Sequence, residues 1–285
     1  MSLKANEGFV VKPISPSIGS TVYGLDLAEA IPAATIKKLR TIWLHRKLLV
    51  FPEQTLTPQQ QTDFTQQFGE LDQYPFLEGI EGHPYVAEVL KLPEEEINFG
   101  GVWHTDTSYL QTPAAGATLH ALELPPSGGD TIFCNMADAY QALPENLKQQ
   151  INTLQAVNAS NKADVSQTRL HRINSDCLAK QVFANTHPVV RTHPETGEKI
   201  LFVNEAHTTH FEGQNEQQSD ALLNRLYQHA RKPEFQCRIR WHIGMVALWD
   251  NRSTHHYPIN DYTGFQRLLH RVSLKGDVPV GVKTT

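Results

Sequence analysis

Only 3 of the 285 residues are cysteine. Cys134, Cys177 and Cys237 are too few and too far apart for a disulfide framework or a zinc ribbon, and read as buried free thiols. No apolar run approaches the roughly 20 residues that span a bilayer. Met1–Pro16 has no apolar leader segment, so a cytoplasmic protein without membrane contact is expected. Long runs of one charge sign are also missing, and the net charge of -5 is mild; this leaves neither a basic groove for nucleic acid nor an acidic tail. There are no internal repeats, no regular strand–helix alternation and no linker. What is present, 40% hydrophobic residues over 285 positions, suffices for one large core. A single domain over 1–285 is expected.

The pattern along the chain is mainly strand. Phe9–Leu27 alternates apolar and polar residues like a hairpin, and Lys47–Pro52 reads as a buried strand. Ala33–His45 has helical spacing. Thr57-Pro58-Gln59-Gln60 is a capping box with proline at the first helical position, predicting a helix that ends at Gly69. Further strands are predicted at Val86–Leu90, around His104, at Ala117–Leu124, Thr131–Cys134, Phe235–Trp241, Met245–Trp249 and Arg267–Leu274. A hairpin is predicted around Pro194–Gly197, and helices at Ala137–Leu154, broken at Pro144, and Glu216–Arg231. The polar segment Asn158–Ala184 reads as a lid or flexible insert. Many short strands with flanking helices favour a mainly β fold with a double-stranded β-helix core, the cupin-like jelly roll.

The chemistry concentrates in two stretches. In a strand through Trp103–Tyr109, His104 and Asp106 point to the same side. They supply two of the three ligands of a 2-His-1-carboxylate site, which holds non-haem iron(II) and keeps positions open for chemistry. The triplet alone equally fits an exposed strand with a hydrogen-bonded pair. The second stretch runs from Trp249 through His255-His256-Tyr257 to Arg267 and Arg271. The two arginines share a strand face. Outside a barrel they would simply be solvated; inside, each marks a place for a carboxylate- or sulfonate-type group.

At this point the chain resembles the taurine dioxygenase family of iron(II)/2-oxoglutarate-dependent dioxygenases. The resemblance rests on His104-Thr105-Asp106, Gly128-Gly129-Asp130-Thr131, Trp249-Asp250-Asn251-Arg252, His256 and Arg267. It is extended by Thr57–Gln61, Phe68–Leu71, Thr112–Gly116, His187–Pro194 and Leu201–Glu205, and so covers nearly the whole chain. It implies His104, Asp106 and His256 as the catalytic iron ligands, with His255 a neighbour. It further implies that Thr131 and Arg267 hold the distal carboxylate of 2-oxoglutarate, and that O2 is the second co-substrate. Because Asp106 is present, the implied outcome is hydroxylation, with succinate and CO2 released. Arg271 takes the place of the arginine that binds the sulfonate of taurine, which implies a small anionic substrate. Four other substrate-pocket positions depart from the family: Tyr74 replaces a histidine, Leu77 a tyrosine, Gly100 an asparagine and His207 a phenylalanine. The lost polar partners argue against taurine itself. Leu77 and Gly100 suggest a roomier pocket, for a larger sulfonate, sulfate ester, carboxylate or aryloxy acid. A homo-oligomer, dimer or tetramer, is also implied. Two rival readings are a non-catalytic metal-binding jelly roll, which leaves Arg267 and Thr131 idle, and a zinc hydrolase, for which no general base stands out.

Overall fold

Met245–Trp249 is apolar at every position, as suits a strand covered on both faces. In the computed structural model, which describes residues 8–98, 100–162 and 182–283, the strand Val246–Asp250 lies in the middle of an eight-stranded sheet. It pairs antiparallel with Leu48–Phe51 on one side and Gly116–Glu123 on the other. Gly116–Glu123 pairs with Arg267–Leu274, which carries Val86–Lys91 along its other edge. A second sheet of Gln236–Ile239, Thr131–Asn135 and Thr254–Pro258 packs across it.

Alternation along each strand decides what fills the two sides. Ala247, Trp249 and Leu269 from the large sheet meet Phe133 and Ile239 from the small one. Val246 and Leu248 point the other way, onto Leu39, Trp43 and Phe64 of the helices Ala33–Arg46 and Pro58–Gln66. Each fully buried side chain of this size contributes about 1.5–3 kcal/mol. A third core joins Leu147, Val190, Phe211 and Leu223. It packs the helices Met136–Gln141, Glu145–Ile151 and Glu216–Ala230 onto two smaller sheets. The result is the expected jelly-roll core with flanking helices.

Local signals held where they rested on stereochemistry. The capping box forms, with Thr57 Oγ1 accepting from the Gln60 amide at 3.2 Å and Gln60 Oε1 accepting from the Thr57 amide at 2.9 Å. Pro144 does separate two helices. Cys134 and Cys237 are buried free thiols, whereas Cys177 lies outside the described residues. Most of the 158–184 insert lies outside them too; its described flanks, Gln155–Ala159 and Ala184–Pro188, pair antiparallel.

One expectation fails. Trp103–Tyr109 is not a strand: His104 makes a single antiparallel bridge to His256, and a turn begins at Asp106. Thr107 occupies the left-handed region at φ 51°, which a β-branched residue rarely adopts. Its hydroxyl accepts from the Ala114 amide at 2.9 Å, which helps hold it there. The preference of Trp, Thr and Tyr for strands was overridden by these turn contacts.

Candidate active site

His104 and Asp106 reach a common point through this bridge and turn. The His104 amide donates to the His256 carbonyl at 3.1 Å, and the His256 amide donates back at 2.8 Å. The bridge sets the two imidazoles side by side, ring centres 4.1 Å apart. Asn251 fixes the turn from below. Its Oδ1 accepts from the Asp106 amide at 2.8 Å and from Thr105 Oγ1 at 2.9 Å, while its Nδ2 donates to the carbonyls of Asp106 and Ala114 at 3.1 and 2.8 Å.

The three side chains converge. One ligand atom from each of His104, Asp106 and His256 lies within 4.8 Å of the others, and all three residues are buried. Asp106 Oδ1 stands 3.7 Å from His104 Nε2 and 3.8 Å from His256 Nε2. His104 Nδ1 lies 2.7 Å from the Val102 carbonyl; as an N–H it donates there, which leaves the Nε2 lone pair facing the cluster. His256 is packed between Phe133 and Trp249, with ring centres at 5.7 and 5.3 Å. Burial is the main force holding both imidazoles below their ordinary pKa, so they are neutral and able to donate. Burial alone would raise the Asp106 carboxyl, but the Arg271 guanidinium and then the two histidines more than offset it and hold it below the carboxylate range. Its Oδ2 is buried without a hydrogen-bond partner among the described residues.

Arg267 and Arg271 share a face of their strand, as expected, and both are buried, which decides for the inside. Arg271 Nη1 donates to Asp106 Oδ1 at 3.0 Å and its Nε to Ser273 Oγ at 3.1 Å. Its Nη2 has no hydrogen-bond partner among the described residues, and the guanidinium sits 5.2 Å from the centre of the Tyr74 ring. Arg267 and Thr131, on different sheets, both meet Trp241. The indole N–H donates to Thr131 Oγ1 at 2.9 Å, and the Arg267 guanidinium lies 5.8 Å from the ring centre. Gly128 and Gly129, at φ 82° and 71°, turn the chain into Thr131; a Cβ at Gly128 would stand 2.6 Å from Asp261 Oδ1.

Of the four departing positions, His207 and Gly100 lie against His104 and Tyr74 against Arg271, whereas Leu77 sits in a loop beside Tyr74. His207 is edge-on to Tyr109 at 4.8 Å and to His104 at 6.4 Å between ring centres. Burial, then His104, brings its pKa down to about 3. Tyr74 and Leu77 line a cleft of about 690 Å³ formed by the loop 73–84. Gly100 corrects an expectation. A Cβ there would stand 2.7 Å from His104 Cε1, so the missing side chain makes room for the imidazole and adds none to the pocket.

The sequence reading missed Phe76, Phe183, Trp241, Tyr262 and Lys91. Phe76 contacts Tyr109 and Phe183, each at 5.7 Å between ring centres, forming an aromatic wall near His207. No local pattern marked these residues, because only the tertiary fold brings them together. Asp250, inside a motif used for the resemblance, has a structural role: it accepts from His193 Nε2 at 3.0 Å and from Arg252 Nε and Nη2 at 2.9 and 2.8 Å.

Residues 11–273 match the model of the taurine catabolism dioxygenase TauD, TfdA family. An alpha-ketoglutarate-dependent sulfate ester dioxygenase from Pseudomonas putida is 34% identical, over 95% of this chain and 91% of its own. An alpha-ketoglutarate-dependent 2,4-dichlorophenoxyacetate dioxygenase from Cupriavidus pinatubonensis is 32% identical, over 95% of this chain and 99% of its own. The crystal structure of a taurine dioxygenase from Burkholderia xenovorans superposes with a TM-score of 0.82 at 33% identity, covering 98% of this chain and 97% of that one. The chain therefore belongs to the TauD, TfdA family, and with it to the iron(II)- and 2-oxoglutarate-dependent dioxygenases.

Proposed function

We propose that His104, Asp106 and His256 hold iron(II), that Thr131 and Arg267 hold the distal carboxylate of 2-oxoglutarate, and that Arg271 receives the anionic group of a substrate larger than taurine. The observation that carries this reading is the buried His104–Asp106–His256 cluster, with its ligand atoms within 4.8 Å of one another. The donor set fits the ion: two neutral imidazole nitrogens and a carboxylate whose Oδ2 has no other partner among the described residues, the set found in non-haem iron(II) oxygenases. Bound iron(II) supplies O2 activation coupled to decarboxylation of 2-oxoglutarate to succinate and CO2.

The protein's own contribution is binding, orientation and exclusion of water. The Val102 carbonyl fixes the His104 tautomer. Phe133 and Trp249 keep His256 from rotating. Thr131 Oγ1, already accepting from Trp241, has its own proton to donate to a carboxylate beside Arg267. Arg271 spends Nη1 on Asp106 and keeps Nη2 for an anion. This places the substrate's charged end close to the reacting centre, while Phe76, Tyr109 and Phe183 offer an apolar wall for its body.

Sulfate esters, alkyl sulfonates and aryloxy acids share that pattern of one anionic end and an apolar body. The relatives' sulfate ester and 2,4-dichlorophenoxyacetate substrates support it. Succinate release across a panel of such acids tests the assignment: turnover is expected for a larger sulfate ester, sulfonate or aryloxy acid. Turnover of taurine and of no larger acid would refute it.

A further inference from the structure

Lys91 ends the strand Val86–Lys91, directly opposite Arg267 on the neighbouring strand. Val89 and Leu269, two residues from each, both pack into the core between the sheets, so Lys91 and Arg267 point into the same interior. Lys91 is 2% exposed, and its Nζ has no hydrogen-bond partner among the described residues. It lies 4.7 Å from the centre of the Tyr262 ring, and the Arg267 guanidinium lies 6.0 Å from the same centre. The Tyr262 hydroxyl acts on the Arg267 guanidinium electrostatically, yet among the described residues the Arg267 Nε has no hydrogen-bond partner either. The acid that acts on Arg267, Asp130, is already held by Arg238 at 2.6 Å.

Two buried cations on facing strand positions, each with an unfilled donor, repel one another and lose hydration. The ring of Tyr262 compensates Lys91 only in part. An anion between them would satisfy both. We propose that Lys91 is a second cationic contact for the distal carboxylate of 2-oxoglutarate, acting beside Arg267 and Thr131 and setting selectivity for a dicarboxylic 2-oxo acid. This rests on the co-substrate reading above. A neutral terminal group in place of that carboxylate would leave Lys91 and Arg267 unpaired, so the pair rejects monoacids as well as holding the diacid.

The test is anaerobic calorimetry of the iron(II)-loaded protein with 2-oxoglutarate and with 2-oxopentanoate, which carries a methyl group in place of the distal carboxylate. Lys91→Met is expected to weaken 2-oxoglutarate about tenfold to a hundredfold, the loss of one charge-assisted hydrogen bond, and to change 2-oxopentanoate less than about twofold. Lys91→Arg is expected to recover part of the difference. Metal-free Lys91→Met is expected to melt no lower than wild type, because an unpaired buried charge has been removed. Equal weakening of both acids, unchanged 2-oxoglutarate binding, or a raised substrate KM in its place would overturn the proposal. Wild-type protein that bound neither acid would overturn the co-substrate reading itself.

Discussion

Asn251 touches no reacting atom, yet the geometry of the metal cluster depends on it. Replacing Asn251 with alanine leaves three buried backbone groups without their partner: the Asp106 amide, the Asp106 carbonyl and the Ala114 carbonyl. At about 1–2 kcal/mol for each group left unsatisfied, the cost is roughly 3–6 kcal/mol of folding stability. The groups share one turn, so the terms are not strictly additive. Asp106 is held from its backbone by these bonds, and its side chain then meets His104 and His256 only because the turn is fixed. Loss of a residue that orients a ligand costs about 10–100-fold in metal affinity. Urea unfolding of the metal-free protein measures the first effect; anaerobic iron(II) titration of the still-folded variant measures the second. Destabilisation with iron affinity unchanged would refute the reasoning, because Asn251 would then support the fold without orienting Asp106.

Other perturbations separate the remaining roles. Arg271→Met is expected to raise the substrate KM about tenfold to a hundredfold, one charge-assisted hydrogen bond, while leaving the KM for 2-oxoglutarate nearly unchanged; steady-state succinate release distinguishes the two. Gly100→Ala puts a Cβ 2.7 Å from His104 Cε1, at a backbone φ of +74° that disfavours alanine, and is expected to weaken iron(II) binding in calorimetry although no ligand is removed. Metal-free protein is expected to lose stability as pH falls from about 6.5, the ordinary histidine value. His207 and His255 are held to about 3, chiefly by burial and then by His104, so the unfolded chain takes up protons that the folded one refuses; two such groups give a slope of roughly 2.7 kcal/mol per pH unit. Urea midpoints that stayed flat between pH 6.5 and 5 would contradict this.

The sequence carried the fold where the physics is local. The capping box at Thr57, the break at Pro144 and the uniformly apolar Met245–Trp249 are decided within a few residues, and the structure follows each of them. His104, Asp106 and His256 were legible as ligand types and as an ordered motif. The route that joins them was not: Trp103–Tyr109 has strand composition but forms one bridge and a turn, held by Asn251 about 145 positions later. The same limit hid Lys91. A lysine at a strand end looks solvated until the opposing strand places it beside Arg267, inside the protein. Gly100 shows the converse error, since a small residue read as open space proved to be filled by the imidazole of His104.

The central claim is that His104, Asp106 and His256 form an iron(II) site able to bind 2-oxoglutarate beside Arg267. Anaerobic ultraviolet–visible titration of metal-free protein with iron(II) and 2-oxoglutarate tests it most directly, with His256→Ala and Arg267→Ala run alongside. A weak visible charge-transfer band is expected in wild type only when both are added, and is expected to fade in both variants. Wild-type protein that bound iron(II) but gave no band with 2-oxoglutarate would contradict the account.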